Sequence, residues 1–276
     1  MAINFTKMNS QGNDFIVIDT AQETFLENIS DIKKICSRDA VGCDQLLLIN
    51  TRDSKKVACK IYNTDGTHAR QCGNGLRAIM LYLNNKFSIS ESTIEVCDKY
   101  YNAQIIDGNK ISVDLGKAAF LGKDNPEDGN LNSWVGDIVD VGNKHFVIPL
   151  RDQIVEWPSE DPGDQEDTIC ASANLDMAIQ ALDEFRSKYN LTFILNETYD
   201  NSLLRIKVKE RGAGWTKSCG SGAIAAAAYA IKYKKLDDSP IVVEQEGGLL
   251  EVHWDDSGSL KLVGPSEFEY EGTWDG

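Results

Sequence analysis

QCGNGLRA (71–78) and SCGSGAIA (218–225) decide the architecture. Both read Cys-Gly-x-Gly and run directly into an apolar stretch of helical character. A second landmark repeats in the same order: Gly12-Asn13 leads into Phe15-Ile-Val, and Gly142-Asn143 leads into Phe146-Val-Ile. Two landmarks recurring in order predict two homologous halves, each a strand-rich unit packed around one helix that starts at a CGxG turn. A pseudo-twofold relation between the halves would set Cys72 and Cys219 opposite each other across an interdomain cleft, a common place for a ligand.

Outward from those turns, short runs rich in Ile and Val predict strands at 15–19, 46–49, 57–63, 93–96, 103–107 and 110–115. The DG at 107–108 marks a hairpin between the last two. A second series falls at 134–141, 146–150, 191–195, 203–209, 241–245 and 249–254. Helices are fewer: a short one capped by Ser30 with Asp31 and ending at Cys36, and others over 76–85, 176–189 and 223–235. The run EDPGDQED (160–167) reads as a solvated acidic loop.

The 276 residues suffice for two domains. A formal charge of −15, with 28 Lys and Arg against 43 Asp and Glu, argues against nucleic acid, whose phosphates need clustered cations. No apolar run approaches the roughly 20 residues that span a bilayer, and the N-terminus lacks a basic region followed by an apolar core. No membrane association and a cytoplasmic location are the expectations. Seven cysteines, an odd number with no CxxC pair, and three scattered histidines predict neither a disulfide framework nor a metal site. No lysine is evidently placed for a Schiff base.

The CGxG turn has a chemical logic. The first turn of a helix leaves N–H groups outside the helical ladder, and these can hold a carboxylate. For Cys72 they belong to Gly73 and Asn74, and for Cys219 to Gly220 and Ser221. The same helix end carries partial positive charge and is expected to lower a nearby thiol pKa toward neutrality. Two such turns suit stereoinversion at a carbon beside a carboxylate, one thiolate removing a proton while the opposite thiol delivers one. Alternatively the two cysteines are small buried residues at helix starts, a single nucleophile, or a redox pair. Cys36, Cys59, Cys97 and Cys170 have no such context and read as core or incidental; Cys43 lies beside a candidate site without a partner of its own.

MNSQGNDFIVID (8–19), GCDQLLLI (42–49), YNTDGTHARQCGNGLRA (62–78), GNKHFV (142–147), ERGAGWTKSCGSGA (210–223) and EGG (246–248) together make the chain resemble, nearly end to end, the diaminopimelate epimerase family. These are isomerases of bacterial lysine and peptidoglycan-precursor synthesis. The resemblance implies an α+β fold of two pseudo-symmetric domains, each a barrel-like, mostly antiparallel sheet around a central helix. The first is expected over 1–118 with 265–276, and the second over 119–264. It also implies a homodimer, a small amino-acid substrate, and a thiol–thiolate pair working without metal or pyridoxal phosphate.

Residue by residue, the resemblance implies catalysis by Cys72 and Cys219. It implies substrate contacts from Asn13, Gln45, Asn63, Asn143, Asn190, Glu210 and Arg211 and from the turns at Gly73, Asn74, Gly220 and Ser221. Arg211 suits a bidentate grip on the distal carboxylate of a double amino acid, and Glu210 suits an ammonium. Each has a plainer alternative: Asn13, Asn143 and Asn63 as turn residues, Gln45 as a strand start, Glu210 and Arg211 as a solvated pair. For Asn190 the match is offset by two extra residues over 196–202, and His145 is either an assistant to the site or a structural histidine. The family's GNPH reads GNKH here, with Lys144, and its RGAGET reads RGAGWT, with Trp215. Other two-base isomerases of the same fold, the proline and hydroxyproline racemases and the phenazine-pathway type, are the nearest alternatives.

Overall fold

The computed structural model describes residues 2–122, 136–150, 188–195, 202–211, 213–234, 236 and 240–276. The acidic run 160–167, Cys170 and most of the helix expected over 176–189 lie outside the described residues.

The first series runs β1 (Ile3–Ser10), β2 (Asn13–Asp19), α1 (Ile29–Cys36), β3 (Gln45–Asn50), β4 (Lys56–Asn63), β5 (His68–Ala69), α2 (Gly73–Phe87), β6 (Glu91–Val96), β7 (Lys99–Asp107) and β8 (Lys110–Asp114). The second runs β9 (Ala119–Gly122), β10 (Asp137–Asp140), β11 (Lys144–Pro149), β12 (Asn190–Ile194), β13 (Leu203–Glu210), β14 (Gly214–Thr216), α3 (Gly220–Lys234), β15 (Ile241–Gln245), β16 (Gly248–Trp254), β17 (Leu260–Pro265) and β18 (Glu267–Trp274).

Strand pairing repeats between the series, step for step. β1 pairs antiparallel with β2 as β10 does with β11. β2 and β3 are parallel, like β11 and β12. β3–β4 and β4–β5 are antiparallel, like β12–β13 and β13–β14. β4 runs parallel to β6 as β13 does to β15, and the β6–β7–β8 meander repeats as β15–β16–β17. β8 and β17 join the two units antiparallel, with Val113 opposite Leu262. The strands that follow them cross over: β9 pairs with β10 of the second unit, and β18 returns to β1 of the first. The fold is thus a largely antiparallel sheet curled twice, each curl around one helix.

The helices fit that place. From Gly73 to Leu83 every residue of α2 is buried, and α3 is alanine-rich and buried on all sides from Ala223 through Ala230. A helix buried all round packs against sheet on every side, and small alanines let strands approach the α3 axis closely. Both helices begin earlier than the apolar runs alone suggested, because Cys72 and Cys219 act as their caps. The α1 cap differs from expectation: Asn28, not Ser30 with Asp31, accepts the Asp31 N–H, and the helix begins at Ile29. The hairpin at 107–110 forms with Asp107 opposite Lys110.

Candidate active site

The repeated pairing brings matching positions together. Asn13 opens β2, Gln45 opens β3 and Asn63 closes β4; Asn143 precedes β11, Asn190 opens β12 and Glu210 closes β13. Register sets Gln45 opposite Asn63 and His145 opposite Asn190. These strand ends surround the starts of α2 and α3.

Each cysteine caps its helix in the same way. The Gly75 N–H donates to Cys72 Sγ at 3.3 Å and the Gly222 N–H to Cys219 Sγ at 3.4 Å, while Leu76 and Ala223 donate to the two cysteine carbonyls. Both thiols are free. The two helix starts abut: a Cβ built on Gly73 would lie 4.0 Å from Gly220 Cα, and one on Gly220 would stand 2.7 Å from Leu262 Cδ2 and 3.2 Å from Asn74 Oδ1. Only glycine permits that approach. Asn74 joins the turns, its Nδ2 donating to the Ser218 carbonyl at 3.1 Å and to Asn13 Oδ1 at 3.3 Å. The Gly-Asn turns cross as well. Gly142, at φ 95°, leaves no room for a side chain against Gln71, and the Gly12 backbone packs on the Lys217 side chain.

Around Cys72, Asn13 Oδ1 lies 3.9 Å from Sγ, and Asn13 Nδ2 donates to Asp44 Oδ2 at 3.0 Å. Gln45 Nε2 donates to Asn63 Oδ1 at 3.0 Å, and Asn63 Nδ2 to Thr67 Oγ1. Around Cys219, the Ser221 hydroxyl lies 3.5 Å from Sγ and 2.9 Å from His145 Nε2, and His145 Nδ1 meets Thr192 Oγ1 at 2.8 Å. The Cys219 N–H donates to Gln245 Oε1 at 2.8 Å. Asn190 Oδ1 receives the Arg211 N–H at 2.8 Å, and its Nδ2 lies 3.5 Å from His145 Nε2. Arg211 is exposed, whereas Glu210 is half-buried and its charge acts on the Cys219 thiol, so the two are not a solvated pair. Asn143 is half-buried beside Gly142, its carbonyl taken by the Val141 N–H.

The electrostatics correct one expectation. Burial pushes the Cys72 thiol up to about 12, and the N–H groups of Gly75 and Asn74 only partly oppose it. Burial and then the Glu210 charge raise Cys219 well above an ordinary thiol. Desolvation therefore outweighs the helix ends at both sulfurs. Burial also raises Glu210 and keeps His145 neutral, with its pKa down to about 3. Arg77 is fully buried, and its charge favours a Cys72 thiolate. A second correction concerns Cys43, which is buried in the same apolar cluster as Cys36, and whose thiol pKa is raised by that neighbour and by burial.

Asp44, Arg77 and Ser218 lie inside the quoted motifs and Gln245 directly before EGG, but nothing in their residue types or spacing assigns them a place at the site. Of the departures, Trp215 lies under the ammonium groups of Lys207 and Lys209, at 4.6 and 5.2 Å from its ring centroid, and packs near Phe193. Lys144 opens β11 and is exposed; nothing in the structure explains it. Among the described residues, no three His, Cys, Asp or Glu are gathered as a metal site, and no helix is long and apolar enough to cross a membrane.

The arrangement resembles known proteins on two levels. A family model described as diaminopimelate epimerase matches residues 5–121 and 138–268. Proteins named diaminopimelate epimerase from Legionella pneumophila (strain Corby) and Vesicomyosocius okutanii are 31% and 30% identical to the chain. The matches cover 99% of this chain in both, and 99% and 98% of those proteins. By structure alone, a hydroxyproline epimerase from Agrobacterium vitis with bound trans-4-hydroxy-L-proline superposes with a TM-score of 0.70 at 12% identity, covering 99% of this chain and 91% of that one. A phenazine biosynthesis protein of Bacillus anthracis gives 0.70 at 15%, covering 99% of each chain. These two share the fold.

Proposed function

The chain belongs to the diaminopimelate epimerase family, and from that premise we propose that it interconverts LL- and meso-2,6-diaminopimelate by proton transfer between Cys72 and Cys219. The reading rests above all on the abutting CGxG turns, which present two free thiols, each capping its helix, from pseudo-symmetric halves. One sulfur, as thiolate, takes the α-proton and becomes a thiol; the carbanion left beside the carboxylate then takes a proton from the opposite thiol, which becomes the thiolate. No bond to sulfur other than S–H forms or breaks, and no electron leaves the substrate.

The N–H groups at the starts of α2 and α3 are the carboxylate cradle, and they lie where negative charge grows during the reaction. The substrate's α-ammonium supplies the positive charge that offsets burial of a thiolate, and Glu210 is the carboxylate placed to receive it. Asn13, Gln45, Asn63, Asn143 and Asn190 offer donors and acceptors for the remaining polar groups, and Arg211 for the distal carboxylate. Neither metal nor organic cofactor enters these steps. The return of β18 to β1 supports units of 1–118 with 265–276, and of 119–264. A homodimer, a cytoplasmic location and a place in lysine and peptidoglycan-precursor synthesis follow the family.

The test is incubation of purified protein with LL-diaminopimelate, with proline and 4-hydroxyproline in parallel and chiral separation of products. Meso product from the first substrate alone supports the proposal, and its loss in Cys72→Ala and Cys219→Ala places the chemistry on the two thiols. Inversion of a proline in place of diaminopimelate would assign the site to another isomerase of this fold.

A further inference from the structure

Asn13 Oδ1 is the acceptor 3.9 Å from the Cys72 thiol, yet an asparagine amide can present either end to a neighbour. What fixes this one is Asp44, the residue before β3. Its Oδ2 receives Asn13 Nδ2 at 3.0 Å and the Asp14 N–H at 3.1 Å. Its Oδ1 receives Arg38 Nη2 at 2.6 Å, and its own N–H donates to Asp14 Oδ1 at 2.9 Å. Arg38 also forks onto Asp14 at 2.6 and 2.8 Å, and the Lys7 ammonium meets Asp14 from β1 at 2.5 Å. The carboxylate of Asp44 is thus anchored on three sides and aimed at Asn13.

An ionised carboxylate accepts hydrogen bonds and donates none. With Asn13 Nδ2 committed to it, the carbonyl end turns to the site, where it also takes Asn74 Nδ2 at 3.3 Å. We propose that Asp44 is a positioning residue for the reaction: it holds the Asn13 amide with its oxygen toward Cys72, giving the thiol form of Cys72 an acceptor and keeping that sulfur a proton donor. The inference rests on Cys72 acting in proton transfer. Glu210 and Arg77 also act on Cys72 by charge; neither hydrogen-bonds Asp44, though the Asp44 charge raises Glu210, and the Asn13→Ala background separates that route from the one through the amide.

The consequence concerns the sulfur itself. Asp44→Asn supplies a donor where the carboxylate could only accept, which lets the Asn13 amide turn its N–H toward Cys72 and favours the thiolate. A hydrogen bond gained by the thiolate lowers the pKa by about one unit, and the reduced nucleophilicity leaves about a threefold faster alkylation at fixed pH. The experiment is a double-mutant cycle on the full chain, reading iodoacetamide labelling of the Cys72 peptide at pH 8 by mass spectrometry. Expected is faster labelling in Asp44→Asn, no further change when Asp44→Asn is added to Asn13→Ala, and wild-type labelling in Asp44→Glu. Should Asp44→Asn not fold, Asp44→Ser, whose hydroxyl also donates, is read in the same cycle. An unchanged rate, or the same increase with and without Asn13, overturns the proposal, the latter because Asp44 would then act by its charge alone. Labelling needs no turnover, so this outcome is independent of whether diaminopimelate is the substrate.

Discussion

Asn74, two residues after Cys72, donates through Nδ2 to the carbonyl oxygen of Ser218, the residue before Cys219, at 3.1 Å. One hydrogen bond between the two CGxG turns therefore helps fix where one thiol stands relative to the other. The same nitrogen reaches Asn13 Oδ1, so the bond also ties the first Gly-Asn turn to the second half.

Removing that tie should separate function from folding. Asn74→Ala leaves the Ser218 carbonyl without this partner, at a cost of about 1–3 kcal/mol, and lets the turns drift. A misplacement of about 1 Å at reacting groups costs on the order of 10²-fold in rate. The expected result is a loss of that size in kcat with a cooperative unfolding transition retained. Near-normal kcat would mean the turns are held without Asn74.

Glu210 should tune both sulfurs. Its charge raises Cys219, where it is second to burial, and Cys72, where burial and the opposing Gly75 N–H rank ahead of it. In Glu210→Gln both thiols should alkylate faster at pH 8, while kcat/KM falls on the order of 10²-fold because a buried ammonium loses its charged partner. Slower labelling at either cysteine would contradict the placement of this carboxylate.

His145 gives a stability prediction with a definite sign. Its folded pKa, about 3, lies below the unfolded value of 6.5 because the ring is buried. Between those values the unfolded chain binds the extra proton, so stability falls as pH drops through the window, by at most ~1.4 kcal/mol per pH unit. Above pH 6.5 the contribution is complete. His145→Gln lacks this dependence, so the difference in urea midpoint between wild type and variant should change from pH 7 to pH 4. A constant difference would show that folding leaves the His145 pKa unshifted.

Much of this was legible in particular residues. Cys72 and Cys219 announced both helix starts, since glycine and a capping side chain mark that point in any context. Alternating Ile and Val marked most of the sheet. β18 was not visible, because EFEYEGTW is largely exposed and carries charge where a buried strand would be apolar. β1 escaped for the related reason that its buried face includes Thr6 and Lys7. Asp44 and Ser218 gain their meaning from partners distant in the chain, Asn13 and Asn74, and spacing says nothing of such meetings. The thiol pKa values stand higher than their helix starts alone imply, because a helix start can be read from sequence whereas the depth of its burial cannot.

The central claim is tested most directly by following the hydrogen. LL-diaminopimelate is converted in heavy water, and early samples are read by mass spectrometry for label in product and in unreacted substrate. Two opposed thiols predict meso product carrying one deuterium at the inverted α-carbon while the remaining LL pool stays unlabelled, because the base on the substrate's own face returns the proton it took. Unlabelled meso product, or deuterium entering the LL pool as fast as product forms, would contradict proton transfer between Cys72 and Cys219.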